Sequence, residues 1–221
     1  MSETVNTYSL DNTDFLVPMD RKAFYEEQTR VFKETGKPTK AVEIVNIMIF
    51  NSYGEIIIQK RSYEKAHNPG LLDKSIGGHV VHGDTVEYTV MVETVQELQT
   101  PSIVLKDFID FNKTINILGS YLETIAIIST TKPIFYEPVK IINNEKIKIA
   151  NKMHLFLGVY DGRIRPVDRE AKGVLFYSLE ELETEMKNQP NAFTDDLHEI
   201  IKLYKDEIVA FVELIKIKKS K

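Results

Sequence analysis

The stretch Ser75–Gln99, SIGGHVVHGDTVEYTVMVETVQELQ, decides how the chain is read, because it joins a glycine pair to a helix that carries acids. Gly77 and Gly78 form a turn where backbone can approach a ligand closely, since no Cβ stands in the way. From Asp84 to Leu98 the apolar residues Tyr88, Met91, Val92, Val95 and Leu98 recur at steps of three and four, which predicts an amphipathic helix with those residues as its buried stripe. Pro101 closes it. Glu93, Gln96 and Glu97 lie off that stripe, the two glutamates one turn apart, roughly 6 Å along the axis. Such an arrangement suits a divalent cation holding a diphosphate. Magnesium takes oxygen ligands and keeps several waters, so two or three side-chain donors from one rigid helix suffice when phosphate supplies the rest. Asp84 has a second reading as the N-cap, because with Glu87 it forms a capping box worth about 1 kcal/mol.

Composition removes several alternatives. With 221 residues, 43% of them hydrophobic and no low-complexity run, the chain supports one good-sized core and reads as a single folded domain. The net charge of -5 is spread along the chain, so neither a nucleic acid nor a membrane surface is expected as partner. Cysteine is absent, which excludes disulfides, thiolate metal sites and a cysteine nucleophile, and fits a reducing compartment. With no signal-like or membrane-spanning stretch in view, the cytoplasm is the expected location.

Working outward, residues 1–40 read as a polar lead-in followed by a helix in which Phe24, Tyr25, Val31 and Phe32 recur at helical spacing and which Gly36 and Pro38 stop. Residues 41–182 form the core, with the decisive motif at 78–100. AVEIVNIMIF and EIIIQKRS, separated by NSYG, predict a strand hairpin. YLETIAIIST is open to helix or strand, NKMHLFLGVYDGRI reads as strand and turn, and GVLFYS as a further strand. Ser178 with Glu181 makes a capping box, and Thr194 caps a last helix over 194–220. Strands alternating irregularly with helices imply an α/β fold, a sandwich around a mixed sheet.

The motif resembles a Nudix box, G-x5-E-x7-R-E-U-x-E-E-x-G-U with U aliphatic, starting at Gly78: Asp84, Glu93 and Glu97 fall on acid positions. Val92 stands where the pattern has arginine, Thr94 where it has an aliphatic residue, Gln96 on a metal-binding glutamate and Gln99 on the glycine. The approach, IIIQKRSYEKAHNPGLLDKSIGGHV, is similar to that in the branch containing isopentenyl-diphosphate isomerase. The resemblance implies a Nudix-like α/β/α sandwich and magnesium, with manganese as an alternative. It also implies Arg61, Lys65 and Gly78 at a small-molecule diphosphate, and Glu93, Glu97, Gln96, His79 and Asp84 around the metal. A homodimer is common in such families, and Glu170 is a further acid that a loop could bring in.

These residues support a hydrolase of a diphosphate linked to another moiety, with Glu93 and Glu97 as its catalytic acids. Each has a plainer alternative: a solvated helix face for the glutamates, strand-edge charges for Arg61 and Lys65, and a polar residue after a turn for His79. Gln96 offers an oxygen without charge, and Val92 cannot orient neighbouring acids as an arginine fork does. A fold that binds ligand or partner without turnover is therefore the second expectation. Isomerase chemistry comes last, since Gly77 falls where that branch has its cysteine and Thr39 where it has a metal-binding histidine.

Overall fold

The computed structural model describes residues 3–164 and 171–219. The amino-terminal lead-in is a strand pair, β1 (Thr4–Ser9) with β2 (Asn12–Asp20), rather than an unstructured approach. Helix α1 (Arg21–Thr35) follows, its first turn capped by the Asp20 carboxylate and its end turned by Gly36 at φ 74. The β-branched run builds β3 (Lys40–Phe50), which turns through Gly54 into β4 (Ile56–Arg61). Then come β5 (Leu72–Asp73), β6 (Ile76–His79), α2 (Val86–Leu98), β7 (Ser102–Leu105), α3 (Phe108–Leu118), β8 (Ala126–Thr130) and β9 (Ile134–Tyr136). A small hairpin, β10 (Val139–Ile142) with β11 (Glu145–Lys148), turns through Asn143 and Asn144, both at positive φ. The chain ends with β12 (Ala150–Val159), β13 (Ala171–Tyr177), α4 (Leu179–Asn188), α5 (Asp195–Leu203) and α6 (Lys205–Lys219).

The spine of the sheet runs β13-β4-β3-β12-β8-β7, with β3 and β12 parallel from Ala41↔Ala150 to Phe50↔Val159 and most other pairs antiparallel. Period-two alternation along β3 sends Val45, Ile47 and Ile49 to one face, where they meet Val90 and Leu98 of α2 and Phe156. Ile44, Met48 and Phe50 go to the other, where they join Phe24, Phe111, Leu182, Leu197 and Phe211 from the remaining helices. The result is the expected α/β/α sandwich around a mixed sheet. Among the described residues no helix is long and apolar enough to cross a membrane.

Several local expectations change. β3 and β4 pair only at Phe50↔Ile56, because β6 occupies β3 from Ile44 to Ile47 and β5 occupies β4 at Gln59 and Lys60. YLETIAIIST resolves as a turn leading into strand β8. The last helix is two, broken where buried Tyr204 leaves helical geometry at φ -120 and donates its hydroxyl to the Lys132 carbonyl at 2.8 Å. The N-cap of α2 is Thr85, whose hydroxyl accepts from Tyr88 N at 3.1 Å; Asp84 is exposed.

The buried face of α2 also differs. Tyr88, Met91 and Val95 point outward, at 50%, 39% and 52% exposure, while Thr89, Val90, Thr94, Glu97 and Leu98 face in. Both stripes satisfy helical spacing. The polar one is buried at little cost because Thr89 and Thr94 return their hydroxyls to the carbonyls of Thr85 and Val90 one turn back.

The helix ends on Gln99 in the left-handed region at φ 53, a conformation that costs a non-glycine residue about 1–2 kcal/mol. Gln99→Gly is expected to raise the melting temperature by about 2–4 °C, part of the gain being offset by glycine's greater unfolded-state entropy. A lowered melting temperature in calorimetry would show that the Gln99 side chain outweighs its backbone strain.

Candidate functional site

Strand β6 delivers Gly78 directly under Glu93 of α2. A Cβ on residue 78 would stand 2.0 Å from Glu93 Oε1 and 2.7 Å from its Cγ, so the glutamate occupies the volume that any other residue would fill. One turn on, Glu97 is buried and accepts from Gln59 Nε2 at 3.0 Å. Glu93, Gln96 and Glu97 line one wall of a cavity of about 230 Å³; Arg61, Lys65 and Gly78 line it too. The fold thus brings together the expected acids and cations, which lie more than thirty positions apart for Arg61 and Glu93.

Arg61 is held firmly. Its Nη1 donates to Asp73 Oδ2 at 3.0 Å, and its Nε and Nη2 donate to the backbone carbonyls of His67 and Asn68 at 2.8–3.2 Å. Lys74 lies against Asp73 Oδ1 at 3.2 Å and Asp196 Oδ2 at 3.6 Å, in space left open by Gly77, whose Cβ would fall 2.8 Å from Lys74 Cε. Burial by itself would raise the Asp73 pKa, but Lys74, Arg61 and the Thr194 hydroxyl at 2.7 Å bring it down to about 2. Asp196 is likewise held below the usual carboxylate range, by Lys74 and Lys140 against the effect of burial, and it accepts from the Tyr136 hydroxyl. Both acids are therefore ionised at neutral pH, deep in the cavity.

His79 also lines the cavity, with Nε2 2.8 Å from the Tyr25 hydroxyl. The Tyr25 ring packs against His67 at 4.3 Å between centroids. Burial, reinforced by Arg21 and Lys140, pushes the His79 pKa well below its ordinary value, and burial with Lys140 and Arg61 brings His67 down to about 3. Both rings are neutral at pH 7, so the positive charge here comes from lysine and arginine.

Asp84 is not among the cavity's lining residues, and Glu170 lies outside the described residues. Thr39 does not line the cavity either; its backbone N–H donates to Gln28 Oε1 at 2.9 Å. His154 and Lys152 hold Glu43 with its pKa lowered to about 2, in a separate network. Sequence reading missed Lys74, Lys140, Tyr25 and Asp196 as cavity residues. Only Lys74 sits near the motif; the others arrive from α1, β10 and α5, and no spacing rule connects them.

The family model described as NUDIX domain matches residues 40–197. A protein named Nudix hydrolase from Deinococcus radiodurans is 31% identical over 96 residues, which are 42% of this chain and 56% of that one, so the match spans little more than half of that relative. An isopentenyl-diphosphate Delta-isomerase from Serratia proteamaculans is 24% identical over 186 residues, covering 84% of this chain and 87% of that one. Among solved structures, DR0079 from Deinococcus radiodurans shares the fold with a TM-score of 0.57 at 19% identity, over 90% of this chain and 98% of that one.

The buried histidines set a pH dependence. His67 is neutral when folded, with its pKa at about 3, and protonates near its ordinary value of about 6.5 when unfolded. Between those values the unfolded state binds the extra proton. Stability is therefore fully present above about pH 6.5 and falls as pH drops, by up to about 1.4 kcal/mol per pH unit for this group. His67→Phe, which keeps an aromatic ring beside Tyr25, is expected to reduce that slope between about pH 6.5 and 4.5, above the range in which Asp73 and Asp196 titrate. Urea unfolding across this range checks it; equal slopes in parent and variant would contradict it.

Proposed function

Because the chain belongs to the NUDIX family, with residues 40–197 matching its domain, we propose that it is a magnesium-dependent hydrolase of a diphosphate linked to another moiety, with manganese as an alternative ion. The observation that carries this reading is the meeting of Glu93, Gln96 and Glu97 with Arg61 and Lys65 on one cavity. A diphosphate presents phosphate oxygens to cations on one side and to a metal on the other, and that is the division of charge found here.

The donor chemistry fits a hard cation: two carboxylates and one amide oxygen, all on α2. No group of three His, Cys, Asp or Glu side chains arranged to hold a metal occurs among the described residues. Glu93 and Glu97 would thus hold the ion with the neutral Gln96 oxygen, leaving the other positions to phosphate and water. A magnesium ion so held supplies neutralisation of the charge that develops on phosphorus oxygens. Glu93 orients the attacking water and takes its proton; a P–O bond forms to water, and the bridging P–O bond breaks toward the leaving phosphate. Gly78 gives Glu93 its place, and Lys65 receives phosphate oxygens. His79, with Nε2 beside the Tyr25 hydroxyl, lines the same cavity and would stand near the ion, whereas Asp84 is not among the lining residues.

Binding without turnover is the second reading, favoured by Gln96, which brings no charge to the wall where the motif has a third acid. Isomerase chemistry lacks support: no cysteine exists to protonate a double bond, and the space at Gly77 belongs to Lys74 and Asn46.

Magnesium or manganese is expected to raise the melting temperature, since an ion that binds the folded state alone stabilises it, and Glu93→Gln with Glu97→Gln is expected to abolish the rise. Phosphate release from a panel of nucleoside diphosphate derivatives, measured for the parent and for Gln96→Glu, separates the two readings. Tighter magnesium binding and faster turnover in Gln96→Glu support the hydrolase. Tighter binding with no turnover of any substrate by either protein supports the binding fold, and a metal response that survives the double substitution places the metal elsewhere and overturns the hydrolase reading.

A further inference from the structure

Lys140 differs from the other cations of the cavity. Arg61 and Lys74 are paired with Asp73, and Arg21 with Glu3 at 3.0 Å. Lys140 is buried, at 7% exposure, and lines the same cavity, yet among the described residues no carboxylate forms an ion pair with it. Its ammonium stands 5.7 Å from the centre of the Tyr25 ring. Although burial would lower its pKa, Tyr25 and Asp196 hold it above the ordinary lysine value, so it is charged at neutral pH. The Tyr25 hydroxyl and the Asp196 carboxylate share the cavity lining with Lys140 and balance its charge there, so the ammonium is kept where an anion entering the cavity meets it.

The backbone on both sides of Lys140 is pinned. Val139 N donates to Asp195 Oδ2 at 2.7 Å, and Ile141 N donates to Asn68 Oδ1 at 2.7 Å. Asn68 N in turn donates to the Ile141 carbonyl at 3.0 Å, and Asn68 itself sits in the left-handed region at φ 50. The Asn68 carbonyl is one of those gripped by Arg61. A continuous path therefore runs from the Arg61 guanidinium through the strained Asn68 turn to the strand that presents Lys140.

We propose that Lys140 is a phosphate-binding residue of this cavity, and that Arg61 and Asn68 act as positioning residues that hold it in place. The inference rests on the diphosphate reading of the site, narrowing which cation meets the phosphate oxygens. It reassigns Arg61, whose Nη1, Nε and Nη2 donate to Asp73 and to two backbone carbonyls, from a phosphate contact to a brace, and it gives the β10–β11 hairpin a function.

The test uses inorganic pyrophosphate as probe, with calorimetric titration of the full chain in the absence of divalent metal, so that it does not depend on catalysis or on Glu93 and Glu97. Lys140→Met is expected to lose affinity at least tenfold. Asn68→Gly, which keeps the positive φ while removing the side-chain acceptor, is expected to lose affinity about threefold in the parent background and none in Lys140→Met, because a brace that acts through Lys140 has nothing left to position. A co-crystal of the parent with pyrophosphate serves even if Lys140→Met fails to fold: phosphate oxygen at the Lys140 Nζ is the expected result. Unchanged affinity in folded Lys140→Met, or pyrophosphate seated on Arg61 with Lys140 uncontacted, or no binding by the parent, overturns the proposal. None of these touches the hydrolase reading, which phosphate release by the parent and by Gln96→Glu decides separately.

Discussion

The site depends on one close approach: Glu93 lies across Gly78, its carboxylate in the volume a Cβ would take. Two elements must meet for this to happen. Strand β6 is fixed by pairing with β3 from Ile44 to Ile47, and α2 is fixed by burial of Val90 and Leu98 against Val45, Ile47 and Ile49 on the same sheet. Neither element could shift by a residue without turning the acids away, because a one-residue slip of β6 would exchange its faces and a one-residue rotation of α2 would move Glu93 by about 100°. The apolar core therefore sets the geometry of a polar site.

Opposite that wall the constraint is electrostatic. Asp73 and Asp196 are buried acids that remain ionised because Arg61, Lys74 and Lys140 surround them. Removing one partner of such a network leaves an uncompensated buried charge and costs several kcal/mol, typically 3–5. The network ties β4, β5, α5 and the β10–β11 hairpin into one rigid floor, with Thr194, the N-cap of α5, hydrogen-bonded to Asp73. Helix α5 is thus connected to the cavity floor at its N-cap, and residues of both α5 and α6 join the core on either side of the break at Tyr204.

Elements with strong local signals were legible in the sequence. The β-branched runs of β3 and β4, the capped starts of α4 and α5, the glycine that ends α1 and the acids of α2 each announce themselves within a few residues. The inward face of α2 was not legible, because hydrophobicity points to Tyr88, Met91 and Val95 while the buried stripe is carried by Thr89 and Thr94, whose hydroxyls are satisfied by their own helix. The lead-in read only as a polar approach because its Asn and Asp residues are weak strand formers, but β1 gains burial by pairing with β3 as well as β2. Glu93, Glu97, Arg61 and Lys65 could be picked out by motif, whereas Lys140 and Asp196 reach the cavity only through tertiary contacts with Asn68, Asp195 and Tyr136 that no local pattern encodes.

Whether the Gly78–Glu93 approach builds the metal site is decided by manganese binding to Gly78→Ala, followed by electron paramagnetic resonance. The added methyl group displaces the end of a flexible glutamate rather than backbone, so the fold should survive, as circular dichroism would verify. The folded variant is expected to bind manganese at least tenfold more weakly than the parent. Equal affinity in the two proteins would contradict it, placing the ion away from Glu93.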